Sequence, residues 1–159
     1  MTVFGKSLSE YLRFERGVLW LVLVVGLLRL GLSMAGAPKA NVSAFSLTVL
    51  VLGASIYLGV HAQATGFGSY RRLLPLVFFP NVLAHAIAIL GIAVAAVTGQ
   101  ENIFTAPEFG GASSTTQHVI GHAVVGAVVA PLFNWGVASL SMLVSRRLGT
   151  GRTAGRAAA

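Results

Sequence analysis

His118 and His122 stand four residues apart in the stretch TTQHVIGHAVVG, so on a helix both imidazoles lie on one face, one turn from each other. Neutral imidazoles at that spacing can turn to a single ion, and a zinc or copper site at a membrane edge would complete its shell with Glu108 or Glu101. His85, Arg29 and Asn81 offer a second chemistry. His85 with His122 or His118 makes the axial pair of a b-type haem, with Arg29 to neutralise a propionate and the row Ala84, Ala88 and Gly91 to make room for the macrocycle. The same residues, with the guanidinium aimed at a carbonyl oxygen, would hold a quinone. Haem b is the leading cofactor expectation on this pattern. Each residue also has a plainer role: Arg29 snorkels to the nearer interface, His85 bonds Asn81 or a backbone carbonyl, and the other two histidines bond between helices.

Several chemistries are excluded by what the chain lacks. It has no cysteine, which removes thiolate metal sites, disulfides and thiol nucleophiles. Aspartate is absent, and the four glutamates, Glu10, Glu15, Glu101 and Glu108, are expected outside the apolar runs. A carrier built on an intramembrane carboxylate, a carboxylate-bridged di-iron bundle and an aspartyl membrane protease are therefore not expected. No Gly-x-Ser-x-Gly elbow is present, and a Ser-His-acid triad would lack its acid.

The elements that position these residues are membrane spans. Of 159 residues 55% are hydrophobic and 9% charged, and the mean hydropathy is +0.82, a balance that points to an all-α polytopic membrane protein. Four spans are expected, at about 17–35, 42–62, 73–98 and 115–145, forming an up-and-down bundle. A short amphipathic interfacial helix over residues 1–16 precedes them, with Ser7 and Glu10 at capping-box spacing, and a basic tail over 148–159 is expected to be disordered. Ala35-Gly36-Ala37 has the form of a signal-peptide cleavage site, but the long leading segment with two glutamates and Arg29 within the apolar run argue for a retained span.

The charges give an orientation. Lys6, Arg13, Arg16, Arg71, Arg72, Arg146, Arg147, Arg152 and Arg156 fall on one side of a four-span chain, and Lys39 falls opposite with Glu101 and Glu108. Both termini are thus expected in the cytoplasm, with the chain in a plasma (inner) membrane. The net charge of +7 is topological, since no basic stripe fits nucleic acid.

Depth ties the chemistry to the spans. From 17 to 29 and from 73 to 85 is twelve residues, about 18 Å of helix, so Arg29 and His85 are expected at one level, with His122 beside them and Asn81 one turn away. The fourth apolar run exceeds the about 20 residues needed to cross, so His118 and His122 lie either in the bundle or in an overhang beside Glu108. Pro131 is expected to kink this run, with Asn134 satisfying the freed backbone groups.

The function expected first is that of a non-catalytic integral membrane protein, an accessory subunit of a larger membrane complex or a homo-oligomer, with small-residue seams at Gly31/Ala35 and Ala84/Ala88. The alternative is a haem- or quinone-binding electron-transfer subunit on His85, His122, His118, Arg29 and Asn81. Behind it stand the interfacial metal site and an oligomeric transporter.

Overall fold

The computed structural model describes residues 2–106 and 114–157. A two-residue strand β1 (Thr2–Val3) pairs antiparallel with β2 (Lys6–Ser7). Phe4 and Gly5 turn the chain between them with φ of 49° and 79°, the left-handed pair that a tight hairpin requires. The interfacial helix expected over residues 1–16 is therefore replaced by this hairpin and the first turns of a longer helix, α1 (Leu8–Met34). Ser7 and Glu10 do form the capping box: the serine hydroxyl accepts from Glu10 N and the carboxylate accepts from Ser7 N. Two backbone donors at the helix start are thereby satisfied, which is why α1 begins at Leu8, well before Gly17.

The second apolar segment is broken. α2 (Lys39–Ala44) stops at Phe45, and Ser46 caps α3 (Leu47–Ala64) by accepting from Val49 N. α4 (Tyr70–Thr98) carries Pro75 and Pro80 within it and ends at Gly99 in the left-handed conformation. The last segment starts as α5 (Thr115–Val124) behind a second capping box, Ser114 with Gln117. It widens into a π-helical turn over Val125–Val129 and continues as α6 (Ala130–Ala157). Helix thus extends past Arg147, where an unstructured tail was expected. Pro131 has no N–H to give to the turn before it, and the distortion expected there takes the form of this π turn rather than a simple kink.

Four helical segments are long and apolar enough to cross a bilayer: Leu8–Met34, Lys39–Ala64, Tyr70–Thr98 and Thr115–Gly149. Their ends meet in a definite way. At one end, holding Phe4, Arg72 Nε donates to the Phe4 carbonyl at 3.1 Å and the Arg146 guanidinium lies 5.7 Å from the centre of the Tyr70 ring. At the other, Gln100 Nε2 donates to Met34 O at 2.9 Å and Ile103 N to Ser33 Oγ at 2.8 Å.

Small residues set close approaches, and of the expected seams the Ala84/Ala88 pair is buried in the core. A Cβ on Gly31 would meet nothing within 4 Å, so that half of the expected seam makes no contact. Tight positions include Gly26, against Ile87 and Leu47, and Gly59, against the Ala138 backbone. The first also fixes register. Gly26 beside Ile87 is an offset of 61 residues, whereas a shared level for Arg29 and His85 required 56, so α1 is shifted by five residues, about 7.5 Å, relative to α4.

Candidate functional site

His85 on α4 and His122 on α5 are brought together, Nδ1 to Nδ1 at 3.0 Å with ring centres 5.2 Å apart. Since each neutral ring has one N–H, one Nδ1 donates and the other accepts. Gly126, one turn below His122 and inside the π turn, makes the contact sterically available. A Cβ there would come within 2.6 Å of His85 Cγ. His118, one turn above, has its ring centre 5.0 Å from that of His122, and its Nε2 is buried without a hydrogen-bond partner among the described residues. The two histidines of α5 therefore lie within the bundle, against α4. Glu108, the carboxylate expected beside them, falls outside the described residues. Among the described residues no group of three histidine or acidic side chains is arranged to hold a metal ion.

Below the histidines, an asparagine pair joins α4 to α6. Asn81 Nδ2 donates to Val77 O at 2.7 Å, and Asn81 Oδ1 accepts from Asn134 Nδ2 at 3.0 Å. Asn81 thus bonds within its own helix and across to Asn134, not to His85, and Asn134 serves another side chain rather than the backbone freed by Pro131. Both are nearly fully buried, at 3% and 6% exposure. Replacing Asn81 by Leu is expected to cost about 2 kcal/mol, because Asn134 Nδ2 is left buried without an acceptor. Thermal unfolding in detergent measures it, and an unchanged midpoint would mean the amide pair carries no weight.

Arg29 is also buried, at 8% exposure. Its guanidinium carbon lies 5.3 Å from the centre of the Phe104 ring, close enough for a cation–π interaction. Phe104 belongs to the segment after α4, where Asn102 Nδ2 donates to Gly91 O at 2.7 Å and folds the chain back over the helix ends. The ring fills the niche left by Gly91, where a Cβ would lie 3.2 Å from Phe104 Cγ. The space expected to receive a macrocycle is therefore taken by a side chain of the protein itself. With α1 shifted by five residues against α4, Arg29 lies about 7.5 Å beyond the histidine pair. The expected shared level becomes two levels of one site.

What joins the levels is a cavity of about 330 Å³, within the range of small-molecule sites. Arg29, Thr48, His85, His122, Asn81 and Asn134 supply its polar wall, and Leu47, Val51, Leu52, Ala84, Ala88, Ile103, Phe104, Ala130 and Phe133 the rest.

One carboxylate departs from expectation. Glu15 lies within α1, 1% exposed, and neither of its oxygens meets a hydrogen-bond partner among the described residues. It occupies the buried stripe Tyr11, Glu15, Val18, Val22, Gly26, Arg29, whose steps of three or four residues are legible in the sequence. His61 lies elsewhere, with its ring centre 4.9 Å from that of Phe14 and 5.1 Å from that of Tyr57. No protein-family model, curated protein or solved structure matches this chain.

Proposed function

We propose that this chain is an integral membrane protein that binds, without transforming, a small amphipathic ring compound of the quinone class. The observation that carries this reading is the cavity: one apolar and aromatic space holding a buried guanidinium, an imidazole pair and an amide pair. A guanidinium and an imidazole N–H are donors suited to carbonyl or hydroxyl oxygens on a flat apolar ring, and aliphatic walls suit the ring itself. The bundle would cross the membrane up and down with both termini in the cytoplasm, the reading supported by the basic residues gathered at the Phe4 end. An accessory role in a larger membrane complex, or in a homo-oligomer, accords with binding that does no chemistry.

Quinone is favoured over haem by the histidine geometry. A haem iron sits between two Nε2 atoms that face each other about 4 Å apart, whereas here the two rings face each other through Nδ1 and are committed to a mutual hydrogen bond at 3.0 Å. The test is a titration of the protein in lipid nanodiscs with a decyl-substituted benzoquinone. Saturation at one molecule per chain above the partitioning into empty nanodiscs is expected. Linear partitioning alone would sink the reading, and so would a Soret band on haem addition that is lost in His85→Ala.

A further inference from the structure

The asparagine chain has a direction. Asn81 Nδ2 is committed to the Val77 carbonyl, so Asn81 presents its oxygen to Asn134, and Asn134 must present its amide nitrogen in return. Asn134 Oδ1 is thereby the free end of the chain. It can only accept, it is buried, and it meets no donor among the described residues. Its residue lines the cavity.

Of the cavity's other polar groups, Thr48 carries a hydroxyl that can donate or accept. Arg29 can only donate. In the histidine pair, the ring that donates through Nδ1 keeps an accepting Nε2, and the ring that accepts keeps an Nε2–H, so together they turn one acceptor and one donor outward. A ligand made only of acceptors therefore meets one imidazole N–H but leaves the other imidazole's Nε2 and Asn134 Oδ1 without a donor. A ligand with a hydroxyl satisfies Asn134 Oδ1 as well.

We propose that the cavity selects the hydroxyl-bearing form of its ligand, a hydroquinone or related phenol-headed amphiphile, over the oxidised quinone, by accepting a hydrogen bond at Asn134 Oδ1. The inference rests on the binding reading above and sharpens it to one member of the redox pair. The physical reason is asymmetric. An acceptor that stays buried and unpaired loses the water it would otherwise bind, whereas a site built to meet a hydroxyl discriminates strongly against the analogue that lacks it.

The experiment needs three ligands of the same ring and decyl tail: the hydroquinone kept reduced under argon, the quinone, and the hydroquinone dimethyl ether, which has both oxygens and no O–H. Each is titrated against the protein in phosphatidylcholine nanodiscs, with empty nanodiscs subtracted. The hydroquinone is expected to bind about ten-fold more tightly than the other two, the ratio that one satisfied buried acceptor supports. Asn134→Leu should reduce that preference by weakening the hydroquinone more than the other two. Should the leucine variant fail to fold, the comparison of the three ligands on the unaltered protein still decides. Equal affinities, or a tighter quinone, overturn the selection and leave the ligand class standing; saturable binding by none of the three overturns both.

Discussion

Gly59→Ala is expected to lower stability by about 3 kcal/mol, an apparent Tm drop of about 10 °C, while Gly53→Ala on the same helix raises it slightly. Both replacements add one methyl group to α3, and both should gain up to about 1 kcal/mol from helix propensity if propensity were all that mattered. The surroundings decide otherwise. At Gly53 the methyl would meet nothing within 4 Å, whereas at Gly59 it would fall within the Ala138 carbonyl group, and its Cα neighbour lies only 3.1 Å away. Backbone cannot swing aside as a side chain can, so α3 and α6 must separate along their contact. Between helices in a bilayer, where lipid competes equally well for apolar surface, close packing at small residues is a main source of association, so lost proximity is lost stability. Differential scanning measurements on the two variants side by side test the point. Equal midpoints would show that the Gly59 contact does not hold the bundle.

The number of membrane-length helices was legible because it follows from the length of apolar runs, and four such runs give four such helices. The register was not. Arg13, Arg16 and Glu15 together resemble a solvated lead-in, which places the start of the first span at Gly17. In the structure the three part company: Arg13 and Arg16 are exposed, while Glu15 points inward with Tyr11 and Val18. Charge content suggested an end to the span where helix periodicity showed continuity. That single choice moved Arg29 by five residues against α4 and produced the level it was expected to share with His85.

The site was legible in its histidines and opaque in its amides. His85 and His122 come together because spans of ordinary length place them at similar depth, a one-dimensional argument that survives small errors in the helix ends. Asn134 and Phe104 could not be found that way. The partner of Asn134 depends on which face α6 presents to α4 after the π turn, and that rotation is set by the widened turn over Val125–Val129. Phe104 enters the cavity from a connecting segment, where no periodicity exists to read; only the glycine opposite it, Gly91, leaves a trace, and a small residue there fits a macrocycle as readily as a ring of the protein's own.

Arg29→Met is expected to weaken ligand binding about 100-fold while leaving the folding midpoint nearly unchanged. The affinity loss corresponds to about 2.7 kcal/mol, within the range of a hydrogen bond to a charged group in a buried site. Stability responds differently because the guanidinium is itself costly to keep at 8% exposure. Methionine removes that charge, retains the length of the apolar stem, and places a polarizable sulfur near the Phe104 ring. Binding and stability should therefore separate, which a merely structural arginine would not produce. Arg29→Lys supplies the intermediate case. It keeps the positive charge but loses the flat guanidinium that lies against Phe104 and the fork that can bridge two positions on a ligand, so a loss of about ten-fold is expected by the same scale. Titrations of the decyl benzoquinone into both variants, with the unfolding midpoint of each recorded, read the two quantities independently. Undiminished affinity in Arg29→Met would mean that the ligand head does not meet this cation, and the binding reading would fall with it. A collapse of the midpoint in both variants would assign Arg29 to the packing of the bundle instead.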